Sequence, residues 1–276
     1  MPLPAELASL LPDSSARTLS VPLPAGRLIT PDVDLGAGAP AYWISDGPAS
    51  AELWAQLRSE HVRSGLWPLL LDGMDDDPSR PWLDGEVTPR PVGEIDGQDA
   101  AAVLAAAWAD WVEEDDADDP DEQYDFDDLA PFGPDWPGIA PPGVQMKDPD
   151  AVADWFVGQL DVGDARLGLV AAECGADSLT IAGWDGPVNH SATPPLSAVL
   201  RSWEDRFGVR VVRVGFASLL VSVAAPPMTT EHALRVAAEH FGFCPDNIQQ
   251  GEQGNETLTA YAELLKGQNS WFFWWD

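Results

Sequence analysis

The stretch LWPLLLDG at 66–73 decides the class of fold. Its first six residues carry no polar side chain, and the run ends at an Asp-Gly pair. That is the pattern of a strand covered on both faces rather than one with a wet side. Such a strand needs helices to cover it, and the chain supplies one immediately upstream. SAELWAQLRSEHVRS at 50–64 sets Leu53, Trp54 and Leu57 at helical spacing, and Gly65 closes the helix. Before it, APAYWISD at 39–46 reads as a strand running into Asp46-Gly47-Pro48 turn chemistry. The expectation is an α+β fold, with mixed or antiparallel sheets backed by helices.

The same grammar returns later. Leu53, Leu57, Arg58, Ser59, Arg63 and Gly65 recur without a gap as Leu196, Leu200, Arg201, Ser202, Arg206 and Gly208. Both copies follow a Trp and an Asp-Gly-Pro, and both precede an apolar strand. The chain thus reads as two similar strand-turn-helix-strand halves. An old duplication and a generic unit written twice both account for this, since Leu-x3-Leu and a closing Gly are common.

Other elements fall between these. The stretch 100–111 reads as an alanine-rich helix capped by Asp99, and DAVADWFVGQL at 150–160 as another helix. RLGLVAAE at 166–173 and SLTIAGW at 178–184 read as strands joined by a polar turn at 174–177. VRVVRVG at 209–215 and SLLVSVA at 218–224 are β-branched strands. Thr229 or Thr230 caps a helix over 231–243, and 256–267 is a helix closed by Gly267. The chain finishes on WFFWW at 271–275, an apolar strand with no polar face. It is expected inside the sheet, with Arg201, Arg206 or Arg235 pairing Asp276.

Charge divides the chain. Acids outnumber bases 46 to 14, for a formal net charge of −32. Between Arg90 and Lys147 there is no basic residue, while sixteen acids contribute half of that net charge. The densest part, DWVEEDDADDPDEQYDFDD at 110–128, opposes its own compaction, and a proline-rich stretch follows. The organisation read from this is an N-terminal α+β region at 1–110, an acidic, Pro-rich linker or long loop at 111–150, and a C-terminal α+β domain at 151–276.

A field of this sign repels nucleic acid and acidic membrane surfaces, and it suits a basic protein partner. No apolar run is long enough to span a membrane, and the start lacks the basic region of a secretory signal, so a cytoplasmic location is expected. Cys174 and Cys244 are no disulfide framework. With no phosphate loop, Rossmann glycines, nucleophile elbow or HExxH, no cofactor is expected.

The best polar constellation is His240, Cys244 and Asp246. A thiolate beside an imidazole is a nucleophile–base pair, and Asp246 would orient the base, if the helix carries both side chains on one face. Structural capping and core packing explain the same residues. A soft-metal set of His232, His240, Cys244, Cys174 and His190 has no supporting spacing, so no metal is expected. The acidic clusters at 72–77 and 115–119 lack the glycine and spaced Glu of a calcium loop. Trp184, Asp185, Asn189 and His190, around the second Asp-Gly-Pro, form a candidate binding group. Arg80 would stack on Trp82 or pair with Asp84.

In the last third, the ordered motifs Trp-Asp-Gly (184–186), Arg-Phe-Gly (206–208), Phe-Cys-Pro-Asp (243–246) and Trp-x-Phe-Trp-Trp-Asp (271–276) resemble an uncharacterised bacterial domain family of actinobacterial type. The resemblance covers about 165–276 and implies a domain but no activity. The overall expectation is a non-catalytic cytoplasmic binding protein, immunity-like or an inhibitor of a basic partner. The alternatives are a hydrolase or transferase built on Cys244 and His240, and a structural accessory module.

Overall fold

Seven strands form one mixed sheet in the computed structural model, which describes residues 1–32, 38–114, 126–251 and 256–276. In chain order the elements are α1 (Ala5–Ala8), β1 (Gly26–Ile29), β2 (Tyr42–Pro48), α2 (Ala51–Ser64), β3 (Leu66–Leu71), α3 (Gly93–Asp96) and α4 (Ala100–Glu114). After a 3-10 turn at Phe126–Leu129 come α5 (Pro149–Val157), β4 (Arg166–Ala171), α6 (Gly175–Ala182), α7 (Thr193–Phe207), β5 (Val209–Val214) and β6 (Ser218–Val223). The chain closes with α8 (Thr230–Phe243), α9 (Asp246–Gln249), α10 (Leu258–Leu265) and β7 (Ser270–Trp274). Strand order is β1-β2-β4-β3-β5-β6-β7. All neighbours are antiparallel except β3 and β5. This is the expected α+β class.

The LWPLLL strand is central, and all six of its residues are buried. Leu66 and Leu70 face a layer built by α1, α2 and α5, where Leu7, Trp54, Leu57, Ala153 and Val157 meet them. Trp67, Leu69 and Leu71 face the opposite layer of α4, α6, α7, α8 and α10. Helices therefore cover both faces of the middle of the sheet, which is why β3 needs no polar alternation.

The two copies of the helix–glycine–strand pattern become equivalent units. Gly65 and Gly208 end α2 and α7 at φ 73° and 60°, a left-handed conformation that favours glycine. The strands they lead into, β3 and β5, lie side by side and parallel. The aligned arginines act alike: Arg58 bridges Asp150 and Asp154, and Arg201 bridges Asp96 and Asp177. The helices nonetheless lie on opposite faces of the sheet, α2 in one layer and α7 in the other.

Three local expectations are corrected. SLTIAGW is not a strand: Gly175–Ala182 is helix α6, ended by Gly183 at φ 79°. Every position of α6 except Ile181 is buried, and a helix covered all round lacks the solvent-facing polar stripe that would mark its period. Asp46-Gly47-Pro48 is not a turn but the end of β2, where the register with β4 shifts in a bulge. WFFWW is an edge strand, paired among the described residues only with β6. Trp271, Phe273 and Trp275 are buried, while Phe272 is 53% exposed, so only one face of β7 is covered.

The stretch expected as a linker begins as α4, which runs to Glu114, and its acidic centre at 115–125, with one of the two candidate calcium clusters, lies outside the described residues. Residues 126–148 lie against the C-terminal helices. Leu129 and Ala140 are buried, Gly143 N–H donates to the Arg206 carbonyl, and Arg235 donates to the Pro137 carbonyl. Ala140 N–H reaches Glu239, which is fully buried and also accepts from both Arg206 Nη atoms and from the Trp203 indole. Every lone-pair direction of that carboxylate has a donor, as a buried charge requires. Among the described residues no helix is long and apolar enough to cross a membrane.

Candidate functional site

The Phe-Cys-Pro-Asp stretch meets the final strand. Cys244 is the residue at which α8 ends, with non-helical φ −154° and ψ 84°, so it leaves the helical face that carries His240. The Cys244 thiol donates to the Trp274 carbonyl at 2.9 Å and to Asn247 Oδ1 at 3.4 Å. His240 turns elsewhere: its Nδ1 shares a hydrogen bond of 3.0 Å with the Tyr261 hydroxyl, and its ring packs among Trp203, Trp271 and Phe273. Its Nε2 is buried without a partner among the described residues. Burial lowers the His240 pKa to about 3 and raises that of the Cys244 thiol. A neutral imidazole and a protonated thiol, each bonded to a different group, are the reverse of an activated pair.

Asp246 joins the other candidate group. Its Oδ2 lies 3.3 Å from His190 Nε2 and accepts the Asp276 N–H at 3.0 Å, while Asn189 Nδ2 donates to the Asp276 carbonyl at 3.4 Å. Trp184 packs edge-on against Trp275 and donates its indole N–H to the Gly215 and Phe216 carbonyls. The structure thus gathers Trp184, Asn189, His190 and Asp246 at the end of β7, with the half-buried Asp185 at the start of the same turn, and leaves His240 and Cys244 deeper in the core. The arginines suggested for Asp276 are committed elsewhere: Arg201 to Asp96 and Asp177, Arg206 to Glu239, and Arg235 to the Pro137 carbonyl.

Asn247 was the silent member of this stretch. Its Nδ2 donates to the Phe272 carbonyl at 2.6 Å and to the Tyr261 hydroxyl, and its Oδ1 accepts the Trp274 N–H at 3.3 Å. Those are the outward backbone groups of β7, on the side away from β6. The amide therefore stands where a further strand's peptide would. Its only signal in the sequence is its place next to Asp246.

A cleft of about 970 Å³ opens elsewhere, over the carboxyl ends of the parallel pair β3 and β5. In sheets with parallel strands that end is where ligands are usually received. One wall is the loop after β3, with Asp72, Asp75 and Trp82; the other is the 161–164 loop between α5 and β4. Arg213 crosses the floor: Nε is 3.2 Å from Asp72, and Nη2 donates to the Asp161 and Val162 carbonyls at 3.1 and 2.8 Å. Arg166 donates to the Ser45 and Asp46 carbonyls. Burial raises the Asp72 pKa against the pull of Arg213, and the nearby Asp75 raises it further. Arg80, read as a partner of Trp82 or Asp84, instead pairs with Glu86 at 2.8 Å and sits over the Phe216 ring. With both guanidinium groups already held, the cleft presents the carboxylates of Asp75, Asp161 and Asp164 without a cationic partner among the described residues. Among those residues no His, Cys, Asp and Glu cluster has the form of a metal site.

Residues 166–276 match the family model described as a domain of unknown function (DUF4253). No curated protein and no solved structure gave a match.

Proposed function

We propose that this is a non-catalytic, cytoplasmic binding protein that engages a basic protein partner through its acidic surface, in an immunity-like or inhibitory role. The observation that supports it is the internal use of the bases. Of the 14 lysines and arginines, ten are in ion pairs with described residues, and Arg17, Arg166 and Arg235 donate to backbone carbonyls. Nearly all of the positive charge is thus engaged by the chain's own carboxylates and carbonyls, which leaves the acids in large excess. Such a field accelerates and orients encounters with a cationic surface and rejects polyanions. The polar residues of the matched domain serve this reading too, because His240, Cys244 and Asn247 are bonded to one another's neighbours inside the core rather than offered to a substrate.

Isothermal titration of the full chain against a defined cationic protein, with polyglutamate and duplex DNA as anionic controls, tests it. The expected result is binding to the cationic partner alone, weakening steeply as salt is raised. Salt-independent binding, or binding to the anionic controls, would count against the proposal. The enzyme reading makes an opposite demand: Cys244 would have to alkylate rapidly in the native state, where burial predicts a slow reaction released only by unfolding.

A further inference from the structure

The sheet is covered on both faces at its centre, but not at its β6–β7 end. Trp271, Phe273 and Trp275, with Leu219, Val221 and Val223 on β6, face the α7–α8 layer and are buried. The alternate residues face the other way. There Leu220 stands directly across from Phe272, and Ser218 across from Trp274. Leu220 and Trp274 are only half-buried and Phe272 is 53% exposed, so among the described residues this apolar shelf has no complete cover. An exposed aromatic face beside a charged rim is the usual form of a docking surface.

The shelf runs into the acidic cleft. Ser218, the cross-strand partner of Trp274, also lines the cleft, and so do Ala217 and Phe216. The 161–164 loop that forms one cleft wall follows α5, the helix that covers this same side of the sheet. Apolar shelf and unpaired carboxylates of Asp75, Asp161 and Asp164 therefore adjoin on one surface. The edge of β7 is not part of it. The outward Phe272 C=O, Trp274 N–H and Trp274 C=O are already held by Asn247 and Cys244, which obstructs the pairing of a partner strand there.

We infer that Leu220, Phe272 and Trp274, together with the cleft beside them, form the docking surface for a basic, amphipathic segment of a partner protein. Apolar side chains of that segment lie across Phe272 and Leu220, and its lysines or arginines enter the cleft toward Asp75 and Asp164. The inference rests on the basic-partner reading and names the surface that carries it. Acidic peptides and nucleic acids are turned away by the cleft's sign.

The test uses the full chain and a synthetic lysine–leucine peptide of amphipathic pattern, with a lysine–serine peptide as a purely cationic control. Binding is followed by fluorescence anisotropy. Phe272→Ser changes an exposed side chain, and Asp75→Asn with Asp164→Asn changes exposed carboxylates, so all three leave the core intact. Each variant is expected to weaken lysine–leucine binding by about tenfold or more, the size of one lost anchor contact. Asp13→Asn with Glu173→Gln, removing the same charge at the opposite end of β4, is expected to change it little. Binding that persists and falls equally with either pair of neutralisations, or that ignores Phe272→Ser, overturns this surface but leaves the basic-partner reading standing. A wild-type chain that binds neither peptide at low salt overturns both.

Discussion

Asn247 donates to the carbonyl of one outward-facing residue of β7 and accepts from the N–H of the next, so a single side chain closes two backbone groups of an edge strand. It also ties them to Tyr261 and to the Cys244 thiol. Asn247→Ala should cost about 2–3 kcal/mol, because several polar groups lose their partner at once; a urea midpoint lowered at constant slope is the check. Glu204 gives the residue scale a second handle. Its carboxylate accepts the Ala176 N–H at the start of α6, and burial raises its pKa to about 7. A carboxyl group whose folded pKa exceeds its unfolded value binds more protons when folded. Its contribution is therefore complete below about pH 4 and is lost as pH rises toward 7. His240 works in the other direction, since its folded pKa lies below its ordinary value and its contribution is lost as pH falls from the mid-6 range toward 3. Glu204→Gln should leave only the acid-side loss, adding on the order of 2 kcal/mol at pH 7.5 relative to pH 5 in the wild-type comparison. Denaturant titrations at the two pH values would show it, and an unchanged pH slope in the variant would contradict the assignment.

Among the elements, β7 shows what sequence patterns convey and what they miss. That WFFWW forms a strand was legible, because five aromatics make a poor frayed end and a good packed one. Which of its faces is covered was not, because the alternation that marks a half-exposed strand needs a polar residue on the wet side and Phe272 is apolar. The partners of Phe272 and Trp274 are also remote in sequence, on β6 and α9. A paired substitution separates the two faces. Phe273→Ala, which empties a place among Trp203, Phe243 and Trp275, should cost about 3–5 kcal/mol. Phe272→Ser should stay within about 0.5 kcal/mol; thermal melts of the two variants decide it. The misreading of α6 has the same root. Leu179, Thr180 and Ile181 carry a strand's composition, and only packing between β4 and α7 makes the stretch helical. By contrast LWPLLL and the two Leu-x3-Leu helices with closing glycines were legible, because burial on both faces and a left-handed glycine each have a local signature. The cleft was nearly invisible. Its walls come from 72–83 and 161–166, and only the folded sheet brings them together.

For the molecule as a whole, the deciding fact is that β3 lies between β4 and β5. Hydrogen bonding across the sheet passes from the C-terminal region into residues 66–71 and back again. Residues 151–276 expressed alone would leave β4 and β5 facing an empty slot, with Trp67, Leu69 and Leu71 missing from the core beneath α7. That fragment should show no cooperative thermal transition, whereas the full chain should melt in one; differential scanning calorimetry of both is the measurement. The matched stretch 166–276 opens on β4, whose two neighbours, β2 and β3, both lie outside it. The recognisable block is therefore narrower than the sheet it belongs to. Any other chain that carries this block with the same strand order must inherit, or recruit from elsewhere in its own length, a strand to fill the place of LWPLLL. Recombination that moved the block alone would transmit its motifs without their architecture.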